Sequence, residues 1–304
     1  MQVKSPMNAD ARSLALVSAS VAREQDEDLA PLVAALQARG LHPEVVDWHD
    51  SAVDWSRYRL ALLRSTWDYT ARLGEFLEWV DRAALQTCLL NPPGVVRWNT
   101  DKRYLGELAR MGIAAVPSHY IAPGDDALAG LEEYLARQQA PELVVKPTVG
   151  AGSRDALRLA RGQRDAALAH IRALQARGRT ALLQPYLGRV DAQGETALLF
   201  FGGRFSHAIR KGPLLRLGVE PTRALFAAEH IGAREPEPAE RALAERVLAA
   251  LPFGPLLYAR VDLIRADDGS PCVLELELTE PSLFLAHGPG AAGRLAALIE
   301  ARLG

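Results

Sequence analysis

Residues 258–279 read YARVDLIRADDGSPCVLELELT, two apolar-rich runs on either side of Asp268-Gly269. An Asp-Gly pair between such runs is the strongest short-range signal for a β-hairpin. A two-residue turn at this pair sets Asp267 opposite Ser270, and this register then fixes every other pair along the two strands. The stretch is therefore predicted to form a long antiparallel hairpin.

The predicted register concentrates charge on one face of the hairpin. It places Asp262 directly opposite Glu275 and Arg260 directly opposite Glu277. Because side chains alternate between the two faces of a strand, both glutamates share a face with Thr279. The other face carries three leucines: Leu274, Leu276 and Leu278. Like charges that oppose each other across a strand pair destabilise it. The charged face is therefore either solvated surface or a site for a hard cation such as Mg²⁺, with an arginine beside it to hold an anionic oxygen.

The composition bounds what the whole chain can be. Its 304 residues, 49% of them hydrophobic and 24% charged, allow two or three domains with a sizeable core. Disorder, collagen and a disulfide scaffold are excluded. The net charge of -2 gives no reason to expect nucleic acid or an anionic membrane as a partner.

No targeting signal is visible in the sequence, so the cytoplasm is the expected location. No run of 18 apolar residues exists, and no signal peptide is visible in residues 1–11, which are expected to form a loose tail. Cys88 and Cys272 lie far apart in apolar runs, so both are expected to be reduced core residues.

Periodicity divides the chain into two plans. In the first hundred residues strands alternate with helices, which predicts a parallel α/β domain. The predicted strands there are Ser13–Ser18, Val45–Trp48, Leu60–Arg64 and Cys88–Leu90, and the predicted helices are Asp28–Arg39 and Leu73–Leu85. A helix from about Asp101 to Met111 follows, with Asn99 or Thr100 as its cap. The remainder is predicted to be α+β with antiparallel strands. Its predicted strands are Leu143–Val145, Ala156–Ala160, one ending at Gln184, and a pair within Glu195–Arg210; its helices are Arg164–Ala176 and Ala239–Ala250.

Lysine is rare in this chain. Only Lys4, Lys102, Lys146 and Lys211 are lysines among 35 basic residues. Because a compact ammonium is not equivalent to a guanidinium group, the few lysines are candidates for specific roles. Lys146 precedes a small-residue loop, 148–153. This loop either binds a polyphosphate through its backbone N–H groups or is an ordinary hairpin turn.

Several short motifs resemble the ATP-grasp superfamily in their order and spacing. They are Asp101-Lys102, Val145-Lys146-Pro147, Leu183 to Leu187, Gly194-Glu195, Arg260-Val261-Asp262 and Glu275-Leu276-Glu277. Within the superfamily, residues 64–69, 99–105 and 206–213 resemble the group that contains the O-ureido-serine cyclo-ligase of cycloserine biosynthesis, an antibiotic pathway. The resemblance implies an ATP-grasp fold, with an N-terminal α/β domain (1–98) and two α+β subdomains (99–185 and 186–304) that clamp ATP.

The resemblance also implies roles for individual residues. ATP would be bound by Lys102, Lys146, Gly150, Gly152, Ser153, Gln184, Tyr186, Leu187, Arg210 and either Asp191 or Glu195, the last two being alternatives for the ribose. The Mg²⁺ ligands would be Asp262, Glu275 and Glu277, the last in place of the usual Asn. Arg260 and Lys211 would be catalytic. The amino-acid substrate would be bound by Arg64, Ser65, Thr66, Asp68, Tyr69, Glu280 and Ser282.

Within the substrate set, Arg64 and Asp68 are expected to bind a zwitterionic amino acid. Trp67 and Tyr69 are expected either to wall that pocket or to pack in the core. His207, on a strand, is expected to be structural.

The implied activity is ATP-dependent ligation of a carboxylate to an amine through an acyl-phosphate. The most specific prediction is an intramolecular cyclo-ligase of the O-ureido-serine to cycloserine type. The alternatives are an intermolecular amino-acid or dipeptide ligase, a non-catalytic nucleotide-binding protein, and a phosphoryl transferase whose product keeps the phosphate. A small-molecule substrate and a homodimer are expected.

Overall fold

Three β-sheets, one in each third of the chain, organise the structure, a computed structural model that describes residues 12–219 and 230–303. The predicted tail and its Lys4 lie outside the described residues. Among the described residues, no helix is both long and apolar enough to cross a membrane.

The N-terminal sheet is parallel, in the strand order β2-β1-β3-β4. Its elements are β1 (Ser13–Ser18), α1 (Leu29–Gln37), β2 (His42–Asp47), β3 (Leu60–Leu63), α2 (Leu73–Ala84), β4 (Cys88–Leu90) and α3 (Pro93–Asn99). Every residue of β1 and β3 is buried, as expected for central strands covered by helices on both faces. The predicted parallel α/β plan is confirmed. One expectation here is wrong, since Cys88 begins the edge strand β4 and is exposed.

The central sheet is antiparallel, in the order β5-β8-β6-β7. Its elements are β5 (His119–Ile121), α5 (Ala127–Arg137), β6 (Glu142–Pro147), β7 (Leu157–Ala160), α6 (Arg164–Ala176) and β8 (Ala181–Pro185). Helix α5, which the periodicity did not predict, is capped by Asp126, whose side chain accepts bonds from Leu128 N and Ala129 N.

The C-terminal sheet is antiparallel, in the order β11-β10-β9-β12-β13. Its elements are α7 (Val190–Gln193), β9 (Glu195–Phe201), β10 (Arg204–Lys211), β11 (Ile231–Ala233), α8 (Pro238–Ala250), β12 (Tyr258–Arg265), β13 (Pro271–Glu277) and α9 (Ala291–Glu300). Helix α9 packs against α1, so the last helix joins the C-terminal sheet to the N-terminal domain.

The helix predicted from Asp101 to Met111 begins later than expected, as α4 (Tyr104–Arg110). Residues 101–103 form a turn, so Lys102 is not in the first turn of a helix. Asn99, expected as a cap, ends α3 and bonds β13 instead: its Nδ2 donates to Leu276 O (2.8 Å). The asparagine thereby fixes the N-terminal domain to the charged hairpin.

The predicted hairpin register is confirmed where it matters, with Arg260 paired to Glu277 and Asp262 paired to Glu275. The turn itself differs, because Ala266 N bonds Ser270 O at 2.9 Å and three residues, 267–269, form the loop. This shifts the register by one residue near the turn.

A β-bulge on β13 restores the predicted register beyond the turn. Asp262 pairs with Glu275, but the next residue, Leu263, pairs with Val273, so Leu274 is the extra residue. The alternation predicted that Leu274 packs in the core with Leu276. Because of the bulge, Leu274 instead lines a cleft.

Candidate active site

A cleft of about 400 Å³ is lined by the central sheet, the C-terminal sheet and the N-terminal domain. The predicted site residues that line it are Lys102, Lys146, Gly150, Gly152, Ser153, Gln184, Tyr186, Leu187, Glu195, Lys211, Arg260, Glu275, Glu277, Tyr69, Glu280 and Ser282. Those that do not line it are Arg64, Ser65, Thr66, Asp68, Asp191, Arg210 and Asp262. We call the part lined by Lys146, the glycine loop 148–153 and residues 184–187 the nucleotide region. The part lined by Tyr69 and the segment 280–285 is the substrate region.

The charged face of the hairpin forms a chain of ion pairs along the cleft. Asp262 is completely buried and lies between two cations: Arg260 Nε is 2.9 Å from its Oδ1, and Lys211 Nζ is 2.6 Å from its Oδ2. The Arg260 guanidinium also bonds Glu277. Lys211 lies 3.1 Å from a Glu195 carboxylate oxygen as well. The arginine and lysine predicted to be catalytic are therefore held in place by the carboxylates around them.

Lys102 supplies the second link between cations and carboxylates. Its Nζ lies 2.9 Å from Glu275 and donates to the Gly150 carbonyl at 2.6 Å. The turn before α4 is thus tied both to the charged hairpin and to the glycine loop. The loop itself is strongly bent, because Ser153 and Gly152 both have φ near +60°.

These contacts separate the pKa values of the three carboxylates. Burial opposes the charge on Asp262, but Arg260 and Lys211 hold its pKa below the ordinary value. Burial also opposes the charge on Glu275, whose pKa is nevertheless lowered by Lys102 and Lys146. Burial raises the pKa of Glu277 to about 8, and the other two carboxylates add to this rise.

Lys146 differs from the other two cleft lysines. Among the described residues, no carboxylate lies within ion-pair distance of its ammonium. Burial lowers its pKa to about 8; the charge of Glu275 opposes this shift, and those of Lys102 and Lys211 add to it. A half-buried cation of this kind fits an anionic ligand in the nucleotide region.

The chain after β8 forms an apolar slot beside this lysine. Leu187, Ile264 and Leu274 line the slot, and the Gln184 amide donates to Ser118 Oγ at 3.0 Å. Tyr186 is fixed at the mouth of the slot by a neighbouring arginine.

The contacts of Tyr186 distinguish Asp191 from Glu195, the two residues predicted as alternatives for binding the ribose. The Arg158 guanidinium stacks on the Tyr186 ring at 3.5 Å, and the tyrosine hydroxyl donates to Asp191 at 2.5 Å. Asp191 is therefore engaged away from the cleft, whereas Glu195 lines it. Arg210 is also engaged elsewhere, since it donates to the backbone carbonyls of Gln193 and Ala192.

The predicted substrate loop after β3 divides into buried and cleft-lining residues. Arg64, Ser65 and Thr66 are completely buried. Asp68 accepts a bond from Trp48 Nε1 at 2.8 Å and pairs with Arg72. None of these four residues faces the cleft.

The two aromatic residues of this loop combine both roles expected for them. Trp67 and Tyr69 belong to the core of the N-terminal domain, where Tyr69 stacks on Phe76 at 4.8 Å. Both also line the cleft. The Tyr69 hydroxyl donates a hydrogen bond to the Glu280 carboxylate.

The acceptor segment, residues 280–285, is held through its backbone by side chains distant in sequence. Asp28 accepts bonds from the N–H groups of Leu283 (2.5 Å), Phe284 (3.1 Å) and Leu285 (2.7 Å). The same carboxylate lies 3.6 Å from the buried Arg64 guanidinium.

The carbonyl groups of the acceptor segment are held as well. Trp67 Nε1 donates to Glu280 O at 3.0 Å, and Arg260 Nη1 donates to Ser282 O at 3.0 Å. His207 Nε2 lies 2.9 Å from Leu283 O, a structural contact, as expected for this histidine.

Sequence reasoning missed Asp28 and Phe284 as residues of the site. Asp28 looked like the beginning of an amphipathic helix, and no local signal shows that its carboxylate reaches residues 255 positions away. Phe284 adopts a left-handed conformation (φ 48°) that no sequence pattern predicts for phenylalanine.

The donor chemistry of the carboxylates fits Mg²⁺, although in this structure each carboxylate is ion-paired with a lysine or an arginine. As placed, the described residues contain no group of three or more side chains that together surround a metal position. Asp262, Glu275 and Glu277 nevertheless present only oxygen donors on one hairpin face, the ligand type that Mg²⁺ prefers. Each is paired with a lysine or arginine that a phosphate oxygen can also bind.

Comparison with solved structures shows the fold class. The chain has the fold of the ATP-grasp ligase PsnB, solved with a precursor peptide and AMPPNP (TM-score 0.63, 18% identity, 98% of this chain and 99% of that one). The predicted ATP-grasp fold is thus confirmed.

More similar proteins then identify the family. The chain is 43% identical over 296 residues to the cycloserine biosynthesis protein DcsG of Streptomyces lavendulae, covering 95% of this chain and 98% of the relative. The crystal structure of the D-cycloserine synthetase DcsG matches with a TM-score of 0.88 and 42% identity, over 96% and 99% of the two chains. The sequence profile of the DcsG N-terminal domain matches residues 14–91. The chain belongs to the DcsG family of ATP-grasp proteins.

Proposed function

We propose that this protein is an ATP-dependent cyclo-ligase that closes O-ureido-serine, or a close relative of it, into a cycloserine-type ring. The observation that carries the proposal is the placement of Arg260 and Lys211 on either side of Asp262, next to Glu277, at the surface of a cleft. Membership in the DcsG family supports the choice of reaction.

ATP would occupy the nucleotide region. The apolar slot of Leu187, Ile264 and Leu274 suits adenine, and Glu195 is preferred over Asp191 for the ribose because it lines the cleft. Lys102 and Lys146 would bind phosphate oxygens, together with the backbone of the glycine loop.

Asp262, Glu275 and Glu277 would hold Mg²⁺. When bound, the ion neutralises phosphate charge and orients the triphosphate. Lys102 and Lys211, now paired with Glu275 and Asp262, would then pair with phosphate oxygens. Glu277, present in place of the usual Asn, adds a negative charge to this set, and Arg260 is paired with it.

The chemistry needs an activated carboxylate, because a carboxylate is a poor electrophile. The substrate carboxylate would attack the γ-phosphorus of ATP, releasing ADP and forming an acyl-phosphate. The ureido nitrogen bonded to oxygen would then attack the acyl carbon, and inorganic phosphate would leave as the ring closes. Arg260 would stabilise the oxyanion of that step, and Lys211 the leaving phosphate. Water would then release the carbamoyl group from the ring nitrogen as carbon dioxide and ammonia.

Several organisational proposals accompany this function. The three sheets suit the division into residues 1–98, 99–185 and 186–304, with ATP between the last two units. Consumption of ATP suits the cytoplasm, and the superfamily resemblance suits a homodimer.

The function is tested by measuring ADP release over a panel of amino acids, each with and without a second amine. We expect O-ureido-serine alone to release ADP and give a product smaller by one ammonia and one carbon dioxide. A strict need for a second amine would replace the proposal with an intermolecular ligase. No ADP with any substrate would replace it with a nucleotide-binding protein.

A further inference from the structure

In the part of the chain that the structure describes, Glu280 has no partner cation, unlike several other carboxylates in or beside the cleft. Asp262, Glu275 and Glu277 each pair with an arginine or a lysine, and Asp28 lies close to Arg64. Among the described residues, no cation lies within ion-pair distance of Glu280. This glutamate is only 8% exposed, yet it lines the cleft.

The surroundings of Glu280 leave one side of its carboxylate for a ligand. The Tyr69 hydroxyl donates a hydrogen bond to it. Burial raises the pKa of Glu280 to about 7, although the Tyr69 hydrogen bond and the more distant charge of Lys102 act to lower it. A buried carboxylate that remains charged is costly unless it is paired. A cationic ligand group would provide the missing pair.

The position of Glu280 is fixed before any ligand arrives. Its own carbonyl accepts a bond from Trp67 Nε1, and the next carbonyl, of Pro281, accepts one from the buried Arg64. Three residues further on, the Asp28 carboxylate fixes the backbone of residues 283–285. This rigid placement is what a recognition residue requires, because less ordering entropy is lost on binding.

The nearby groups indicate which cation fits. Arg260 and Glu280 both line the cleft, and Arg260 Nη1 donates to the Ser282 carbonyl, two residues after Glu280. In the proposed function Arg260 stabilises the oxyanion that forms from the substrate carboxyl group. An α-amino acid carries its ammonium one carbon away from its carboxylate, so one substrate molecule can reach both residues.

We propose that the Glu280 carboxylate, oriented by the Tyr69 hydroxyl, binds the α-ammonium group of the amino-acid substrate. This inference rests on the proposed function, which supplies the amino-acid substrate. It moves ammonium recognition away from Asp68, whose carboxylate is engaged with Trp48 and Arg72. Glu280 thereby selects substrates with a free α-amine.

The test measures binding by calorimetry in the presence of Mg²⁺ and a non-hydrolysable ATP analogue. Two ligands are compared: O-ureido-serine and its analogue with hydrogen in place of the α-ammonium. Wild-type protein is expected to bind the amino acid about 100-fold more tightly than the analogue, because the analogue leaves a buried carboxylate unpaired. Glu280→Gln is expected to lose most of this preference by weakening amino-acid binding while changing analogue binding by less than about threefold.

Two further variants make the result specific. Tyr69→Phe removes only the orienting hydroxyl and is expected to weaken amino-acid binding about fivefold, with analogue binding unchanged. Glu27→Gln removes an exposed negative charge from the same cleft wall and is expected to keep the wild-type preference for the amino acid. Unchanged affinity for the ATP analogue in Glu280→Gln shows that the variant is folded.

The inference is overturned if Glu280→Gln weakens both ligands by the same factor, so that the preference for the ammonium survives. It is also overturned if wild-type protein binds the two ligands equally. Turnover is measured separately with the same samples. Tight binding of the amino acid without ring formation would contradict the proposed cyclo-ligase function. The role of Glu280 in ammonium binding would still be judged from the binding data alone.

Discussion

The nucleotide region and the substrate region of the cleft manage buried charge in opposite ways. Among the residues that the structure describes, Lys146 of the nucleotide region has no carboxylate at ion-pair distance, while Lys102 and Lys211 are paired with carboxylates. Within the same described residues, Glu280 of the substrate region has no cation at ion-pair distance, and its backbone carbonyl is held by Trp67. Each region thus lacks the charge that its proposed ligand carries: the phosphates of ATP in one, the ammonium of an amino acid in the other.

The difference separates residues that hold the geometry of the site from residues that recognise a ligand. Paired residues keep their geometry without a ligand, because each partner fixes the other. The charge of an unpaired residue indicates that the ligand group it binds has the opposite charge.

Glu275→Gln should have the largest effect. It removes a proposed Mg²⁺ ligand and leaves Lys102 without its partner at 2.9 Å. We expect kcat to fall about 1,000-fold, equivalent to about 4 kcal/mol of lost transition-state stabilisation. Steady-state ADP release at saturating Mg²⁺ measures it. The matched control is Glu245→Gln, which breaks an exposed pair on α8 and should leave kcat unchanged. Turnover near the wild-type rate in Glu275→Gln would rule out a metal role for this residue.

Lys146→Met should weaken ATP binding more than it slows chemistry. The variant keeps the length of the side chain and loses the unpaired cation, so we expect the Kd of an ATP analogue to rise about 50-fold. Calorimetry with the wild type and the variant provides the comparison. Arg137→Met, an exposed arginine of the same subdomain paired with Glu133, is the control and should bind as the wild type does. Equal losses in the two variants would mean that Lys146 has no special place in the site.

The pH dependence of ATP binding should follow Lys146. Burial lowers its pKa to about 8, and a bound phosphate favours the charged form. Affinity should therefore be constant below pH 8 and fall by up to about tenfold per pH unit above it, because the free enzyme must then take up a proton to bind. Glu277 also titrates near pH 8, so the informative quantity is the difference between wild type and Lys146→Met. That difference should shrink as pH rises; a constant difference from pH 7 to 9.5 would contradict the assignment.

Asp28→Asn should have the smallest effect on rate and a distinct effect on coupling. An amide oxygen cannot accept all three N–H groups of the acceptor segment in the way that the carboxylate does. A looser segment admits water to the acyl-phosphate, so we expect ring product per ADP to fall from near one to about one half. Simultaneous assays of ADP and ring product test this, with exposed Glu24→Gln as the control. A ratio that stays near one would show that the segment does not shield the intermediate.

The charged hairpin shows how far sequence reasoning reached and why it succeeded. The pairing of Asp262 with Glu275 was predicted from a two-residue turn and is confirmed. The turn is one residue longer than predicted, and the bulge at Leu274 restores the register. Alternation identified the charged face, but the bulge lies next to Val273, whose backbone bonds Ala114 and Val116, and such distant contacts are not encoded in the local sequence.

The substrate region was predicted less well for a physical reason. Its backbone is held by contacts between residues more than 200 positions apart, such as Trp67 with Glu280. The family resemblance predicted that residues 64–69 bind the substrate, yet Arg64 is completely buried and donates to the Pro281 carbonyl of the acceptor segment. Burial of that kind is decided by how the domains pack, whereas the ATP-site motifs are local to single turns and strands.

Transfer of ¹⁸O from the substrate carboxylate to inorganic phosphate tests whether an acyl-phosphate forms and is closed into a ring. O-ureido-serine with both carboxylate oxygens labelled with ¹⁸O is given to the enzyme with ATP, Mg²⁺ and no second amine. The acyl-phosphate route predicts that each inorganic phosphate carries one ¹⁸O and that the ring product keeps the other in its carbonyl group. Unlabelled phosphate, or labelled phosphate formed only when another amine is added, would contradict it.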